Sequence, residues 1–92
     1  AIHHQPRVAL FYAQRAFVKL RLKQEALALE DLRLAQEVAP NESTIYYHLG
    51  QLREEKGELR LALENYQKAK ALGAEEHGLD FKIDTLEAKI VR

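Results

Sequence analysis

The sequence predicts an all-α protein built from repeated helices, and three observations lead to this prediction. Ala, Glu, Lys, Leu and Arg supply 53 of the 92 residues, a proportion typical of long helices or coiled coils. β-branched residues are scarce, with four Ile, four Val and two Thr, which excludes a sheet protein. The third observation is a self-similarity at a spacing of 34 residues.

The repeat becomes visible when residues 9–42 are aligned with residues 43–76. Seven aligned positions are identical, namely Tyr12 and Tyr46, residues 27–30 and 61–64, Ala35 and Ala69, and Glu42 and Glu76. Similar residues extend the match, as with Ala16 and Gly50 or Leu32 and Tyr66. Because the matched positions recur at helical spacing, they predict two copies of one helical unit.

The first unit divides into two helices. The first is predicted over about residues 7–22, and the second over about residues 26–39. Pro40 follows the second helix and cannot continue it, because proline lacks a backbone N–H and clashes with the preceding turn.

The second unit divides in the same way. Asn41 is a good helix N-cap and predicts a third helix over about residues 43–56. Gly57 and Gly73 follow periodic runs, where glycine can supply the left-handed residue that ends a helix. They bound a fourth helix over about residues 58–72.

A fifth helix is predicted over about residues 77–91. Its apolar residues fall at spacings of four, three and four, and they are Leu79, Ile83, Leu86 and Ile90. A single apolar stripe is typical of a terminal helix that packs on one side only. Phe81 is apolar but lies off the stripe.

With these helices in place, the sequence resembles the tetratricopeptide repeat family, whose unit is a 34-residue helix–turn–helix with small residues where the helices cross. The second unit carries the resemblance in Tyr46, Leu49, Gly50, Gly57, Glu58, Leu59, Ala62, Leu63, Tyr66 and Ala69. The first unit carries it in Tyr12, Ala16, Ala28, Leu29, Leu32, Ala35, Val38 and Pro40. The chain departs from the family pattern at Arg15, Lys19, Arg53 and Ala74.

The resemblance implies an α-solenoid of two tetratricopeptide helix–turn–helix repeats plus a C-terminal capping helix. Its parts would be an N-terminal extension over residues 1–8, a first repeat over 9–42, a second over 43–76 and the capping helix over 77–92. The chain contains no Met, not even at its first position, so it is either processed or a fragment of a longer protein. We expect a fragment of a larger adaptor or assembly protein.

One face of the first helix carries Phe11, Arg15, Val18 and Leu22, and three of these four residues are apolar. A terminal helix of a solenoid is normally more polar on its outer face. Two explanations stay open. Either a repeat upstream of this sequence packs on the face, or the face binds a second copy or another protein, because exposed apolar patches mark interaction sites.

In tetratricopeptide proteins the first helix of each pair lines a concave surface, where a peptide often lies. The resemblance therefore implies a partner-binding groove lined by Leu10, Ala13, Phe17, Arg21, Tyr47, Gln51 and Phe81. Phe17, Tyr47 and Phe81 would form a row of rings able to anchor a partner side chain. The alternative is that these rings pack between helices.

Some family members hold a C-terminal carboxylate with a clamp of Lys and Asn side chains. The corresponding positions here carry Ala13, Phe17, Tyr47, His48 and Gln51. We therefore expect a partner peptide with an apolar anchor, not an acidic terminus.

The sequence offers no pattern that indicates catalysis or a metal site. His3 and His4 are adjacent in a tail, and His48 has no carboxylate or second His at ligand spacing. His77 is expected near the start of the last helix, and none of the four is a persuasive metal ligand. Adjacent carboxylates, as at 30–31 and 54–55, point about 100° apart on a helix and suit a solvated face better than acid–base chemistry. We expect no enzyme activity, no metal and no cofactor.

Charge also limits the possible partners. Lys and Arg number 14 against 14 Asp and Glu, so the formal net charge is zero and a nucleic-acid binder is not expected. Arg15, Lys19, Arg21 and Lys23 form a mild basic cluster, which is either a solvated helix edge or a contact for an acidic peptide. No apolar run approaches the length needed to span a bilayer, so direct membrane insertion is not expected.

These observations lead to one functional prediction and one alternative. The prediction is a non-catalytic protein–protein interaction module that holds a partner peptide or helix in its groove. The alternative is a self-association module, a homodimer formed through the apolar first helix and its residues Phe11, Val18 and Leu22.

Overall fold

The structure is a computed structural model that describes residues 6–74 and residues 78–91. The helices in these ranges are α1 (Pro6–Arg21), α2 (Glu25–Val38), α3 (Ser43–Glu55), α4 (Leu59–Ala71) and α5 (Leu79–Val91). No strand occurs in the described part of the chain, and the all-α prediction is confirmed. The helix ends lie within two residues of the predicted limits. The predictions for His3, His4 and His77 fall outside the described residues.

α1 begins at Pro6, so residues 6–8 of the predicted N-terminal extension belong to the helix. Proline suits the start of a helix, because the N–H that it lacks would have no partner within the helix there.

Two helical hairpins form most of the molecule, because α1 packs against α2 and α3 packs against α4. α3 also contacts both helices of the first hairpin, and α5 contacts α4. The buried residues fall into two clusters, of which the larger unites the first hairpin with α3. The smaller cluster joins α4 to α5 and consists of Ala62, Tyr66, Leu79, Ile83 and Leu86.

Small residues allow the paired helices to approach closely. Ala16, Ala28 and Ala62 have no exposed surface. Gly50 marks the closest approach, because a Cβ atom at this position would lie 2.7 Å from ring atoms Cδ1 and Cε1 of Tyr66. The prediction of a close helix crossing at Gly50 is confirmed.

Both hairpin turns contain a residue in the left-handed conformation. Gly57 has φ 80° and Lys23, which precedes it by 34 residues, has φ 63°. The matching backbone hydrogen bonds run from Gln24 N–H to Lys19 O at 2.8 Å and from Glu58 N–H to Arg53 O at 2.9 Å. Gly73 has φ 95° and ends α4 similarly, so the predictions for Gly57 and Gly73 are confirmed. Lys23 was not predicted, because lysine rarely adopts positive φ.

The start of α3 differs from the prediction. The N-cap residue is Glu42 and not Asn41, and no side chain caps the helix. The loop is instead held by Tyr46, whose hydroxyl donates a hydrogen bond to the Pro40 carbonyl oxygen at 2.6 Å. This bond ties the first turn of α3 to the loop, so the loop does not depend on a cap from Asn41.

α5 packs through the predicted stripe. Leu79, Ile83 and Leu86 are buried and Ile90 is half-buried. Phe81 lies off the stripe with 63% of its surface exposed. The one-sided packing predicted for the last helix is confirmed.

Tyr66 connects the two helices of the second hairpin. Its ring is fully buried, and its hydroxyl donates a hydrogen bond to Glu54 Oε1 at 2.8 Å. Burial raises the pKa of the Tyr66 phenol well above its ordinary value, and the hydrogen bond to the Glu54 carboxylate raises it further.

We expect this raised pKa to make the protein less stable in alkali. Above about pH 10 the unfolded chain loses the Tyr66 proton while the folded chain keeps it, so the free energy of unfolding falls by up to ~1.4 kcal/mol per pH unit. Tyr66→Phe should be less stable than the parent at neutral pH, because the hydrogen bond is lost, and the difference should shrink as the pH rises. Urea unfolding from neutral to alkaline pH measures both the difference in stability at neutral pH and its decrease as the pH rises. Parallel pH dependences for the two proteins would contradict the prediction.

Candidate functional site

A row of aromatic side chains crosses from α1 to α3. The ring centroids of Phe17 and His48 lie 5.6 Å apart, and those of His48 and Tyr47 lie 5.7 Å apart. The Arg21 guanidinium lies 5.8 Å from the Phe17 ring centroid, within reach of a cation–π interaction. The row therefore joins three of the predicted groove residues, namely Phe17, Arg21 and Tyr47, through His48.

His48 belongs to this site, although from the sequence it was considered only as a clamp position and as a metal ligand. Its Nδ1 atom lies 2.8 Å from Oε1 of Gln51, another predicted groove residue, and this hydrogen bond fixes the orientation of the ring. The 34-residue register gave no signal for His48, because the equivalent residues Gln14 and Lys82 are not aromatic.

Charged residues continue the site from α3 toward α5. Gln51, Glu54, Glu55 and Lys82 line a shallow depression between the two helices. Lys82 Nζ lies 3.8 Å from Glu54 Oε1, and Lys23 Nζ from the first turn lies 3.9 Å from Glu55 Oε2. We call the row of Phe17, His48 and Tyr47 together with this depression the groove.

The remaining predicted groove residues occupy different environments. Leu10 is half-buried, and Ala13 lies in the larger core cluster with no exposed surface, so a partner cannot contact the Ala13 side chain in this arrangement. Tyr47 is half-buried and packs against both clusters. Phe81 lines a separate depression made only by α5 residues, beside Asp84 and Thr85.

A buried carboxylate lies behind α1. Asp31 of α2 is 2% exposed; its Oδ1 lies 3.4 Å from Arg15 Nη2 and its Oδ2 lies 2.9 Å from Lys19 Nζ. The Lys19 contact is a close ion pair without hydrogen-bond geometry. This arrangement corrects one expectation, since Asp31 is not on a solvated face. It also shows that Arg15 and Lys19 of the basic cluster contact a buried carboxylate.

The outer face of α1 is the second candidate surface. Phe11, Val18 and Leu22 expose 55%, 54% and 62% of their surface. They line a depression of about 390 Å³ together with Gln14, Arg15, Lys19 and Gln24. The Arg15 guanidinium lies 5.5 Å from the Phe11 ring centroid, so it covers part of this face. We call these seven residues the α1 face.

The described residues contain no group of three or more His, Cys, Asp or Glu side chains that could hold a metal ion. Within the same ranges, no helix combines the length and the apolarity that crossing a membrane requires. No protein-family model matches the chain.

Proposed function

We propose that this chain is a non-catalytic interaction module of the tetratricopeptide type that holds a partner peptide or helix in the groove. The observation that carries the proposal is the aromatic row from α1 to α3, which is exposed at Phe17 and lies beside a depression lined by charged residues. This arrangement offers a partner both an apolar contact and a charged contact.

The repeated backbone supports a solenoid of two tetratricopeptide repeats with a capping helix. The turns at Lys23 and Gly57 have the same left-handed conformation and lie one unit apart. α5 packs on α4 through residues that align, at a shift of 34, with Ile45, Leu49 and Leu52 of α3. Those three α3 residues are buried as well, so the stripe of α5 repeats a packing surface already present in α3.

The chemistry of the groove supports a partner with an apolar anchor. Phe17 exposes 37% of its surface at the open end of the aromatic row. Glu55 is exposed and Glu54 is half-buried, and Lys82 of α5 lines the same depression. Two carboxylates and one ammonium group therefore line it, so a basic or neutral residue beside the anchor is favoured over an acidic one.

A displayed library of random peptides selected on this chain tests the proposal. We expect enriched peptides to carry an aromatic or aliphatic anchor, and to bind Phe17→Ala about tenfold less tightly than the parent chain, a loss typical of an anchor contact. Binding is measured with synthetic peptides by fluorescence anisotropy.

Leu27→Ala is the matched control, because Leu27 is an exposed apolar residue of α2 and lies away from the groove residues of α1 and α3. It should leave the affinity unchanged. Selection of acidic peptides, or an equal loss of affinity in both variants, would count against the groove as the binding site.

A second candidate function uses the α1 face. The observation that favours it is the exposure of more than half of Phe11, Val18 and Leu22, since apolar side chains clustered in this way mark sites of protein contact. This candidate is an association module in which the partner covers α1. The two partners to compare are a second copy of the chain and a helix of another protein, each of which would cover the α1 face.

A further inference from the structure

The α1 face differs from an ordinary apolar patch in having basic residues at its centre. Arg15 and Lys19 lie among Phe11, Val18 and Leu22, and none of the described residues that line the depression is acidic. α1 itself contains four basic residues and no acidic one. The charge of the face is therefore positive, although the whole chain is neutral.

Asp31 holds the two basic groups from behind and neutralises only one of them. The Arg15 side chain remains 46% exposed and the Lys19 side chain 23% exposed, whereas the Asp31 side chain is 4% exposed. A guanidinium has five N–H donors, and the Asp31 carboxylate can accept from only some of them. Arg15 consequently keeps hydrogen-bonding capacity on the side that faces solvent.

The repeat register indicates that a leucine would fit where Arg15 stands. The α3 position one unit later is Leu49, which is 7% exposed and lies between the buried residues Ile45 and Leu52. Phe11 and Val18 align with Ile45 and Leu52, whereas Arg15 aligns with Leu49 and Leu22 aligns with Lys56. Arg15 therefore places a charge at the centre of the α1 face, where the α3 face has a buried leucine.

Resting on the second candidate function above, we propose that the α1 face binds an amphipathic helix of another protein, whose apolar stripe is flanked by an acidic residue that lies opposite Arg15. Leucine or similar aliphatic side chains of that helix cover Phe11, Val18 and Leu22. The carboxylate of its acidic residue accepts hydrogen bonds from the exposed side of Arg15.

The same residue disfavours a second copy of the chain. In a twofold-symmetric pair each α1 face meets an identical face, so Arg15 and Lys19 of one copy approach those of the other. Among the described residues, the carboxylate that pairs with Arg15 and Lys19 is that of Asp31, and it is buried behind them. Like charges brought together in an interface cost binding free energy, so the parent chain is expected to be monomeric.

Arg15→Leu tests the role of Arg15 in excluding a second copy. Asp31 keeps Lys19 at 2.9 Å in this variant, so the fold should persist, as circular dichroism can verify. In sedimentation velocity we expect the parent to stay monomeric up to the highest concentration measured. Arg15→Leu should dimerise at a concentration at least about tenfold below that limit. If the parent dimerises as readily as the variant, or if the variant stays monomeric throughout, Arg15 does not prevent the association of two copies.

A pair of synthetic helices tests the chemistry of the partner. Both peptides are about three heptads long with Leu at positions a and d, and they differ in having Glu or Lys at positions e and g. We expect the parent chain to bind the Glu peptide at least about tenfold more tightly than the Lys peptide, and Arg15→Leu to lose this preference. Equal binding of the two peptides, or binding of neither, overturns the proposal.

Two further variants separate this surface from the groove. Val18→Ser removes an exposed apolar contact from the α1 face, and Phe17→Ala removes one from the groove. The Glu peptide should bind Val18→Ser weakly and Phe17→Ala normally. The opposite result would assign the peptide to the groove, which overturns the α1-face proposal and leaves the groove proposal standing.

Discussion

Gly50→Ala is expected to lower the free energy of unfolding by about 1–3 kcal/mol, the usual cost of adding an atom to a packed core. The new Cβ atom would lie 2.7 Å from two ring carbons of Tyr66, which is too close for the ring to remain in place. The ring cannot move freely, because it is fully buried and its hydroxyl is bonded to Glu54. Urea unfolding at neutral pH measures the change.

The sign of the effect should reverse once the ring is removed. The first hairpin has Ala16 and Leu32 at the positions equivalent to Gly50 and Tyr66, and both are fully buried. In a Tyr66→Leu background, Gly50→Ala should therefore raise stability by roughly 0.5–1 kcal/mol, because alanine is the better helix former. If Gly50→Ala destabilises both backgrounds equally, the contact with the Tyr66 ring is not the cause.

Removing both basic partners of Asp31 is expected to have the largest effect of all. The double variant Arg15→Leu, Lys19→Met should lose about 3–5 kcal/mol of unfolding free energy, because it leaves a carboxylate buried without a counter-charge. Either single substitution should cost much less, since one ion pair with Asp31 remains in each case. Thermal or urea unfolding of the three variants gives the comparison.

Asp31→Asn is the matched test of that explanation. The second hairpin has Asn65 at the position equivalent to Asp31, so an amide is already accommodated once in this framework. Added to the double variant, Asp31→Asn should recover at least half of the loss, because a buried amide costs less than an unpaired buried charge. A triple variant no more stable than the double variant would show that lost packing of the long side chains, not charge, is responsible.

Local sequence patterns predicted the helices and the close crossing well. Glycine has few functions in a helix interior, and Gly50 lies between buried Leu49 and Leu52, so a close approach was the natural explanation. The stripe of α5 was equally clear, because its spacing fits one face of a helix and no other arrangement. The helices and the stripe depend on residues near each other in the chain, and the crossing is marked by the missing side chain of Gly50 itself.

Features that depend on how two helices face each other were not predictable in this way. From the sequence of α2 alone, Asp31 is expected to face solvent. Its burial follows from the rotation of α2 that brings it under Arg15 and Lys19 of α1. His48 likewise gains its place in the groove from Phe17 on another helix. The positive φ of Lys23 was not predictable for a different reason. A turn closed by backbone hydrogen bonds can impose positive φ on a residue that does not favour it.

The division of the core into two clusters gives the helices unequal protection against local opening. α5 adds Leu79, Ile83 and Leu86 to the smaller cluster, and in the described ranges α4 is the helix against which it packs. Detaching α5 therefore exposes less apolar surface than separating the first hairpin from α3, and it requires less free energy. Amide hydrogens of α5 should exchange through this opening, well before the chain unfolds as a whole. Such an opening would uncover the ring of Tyr66, and the second hairpin would then end in an apolar surface of its own.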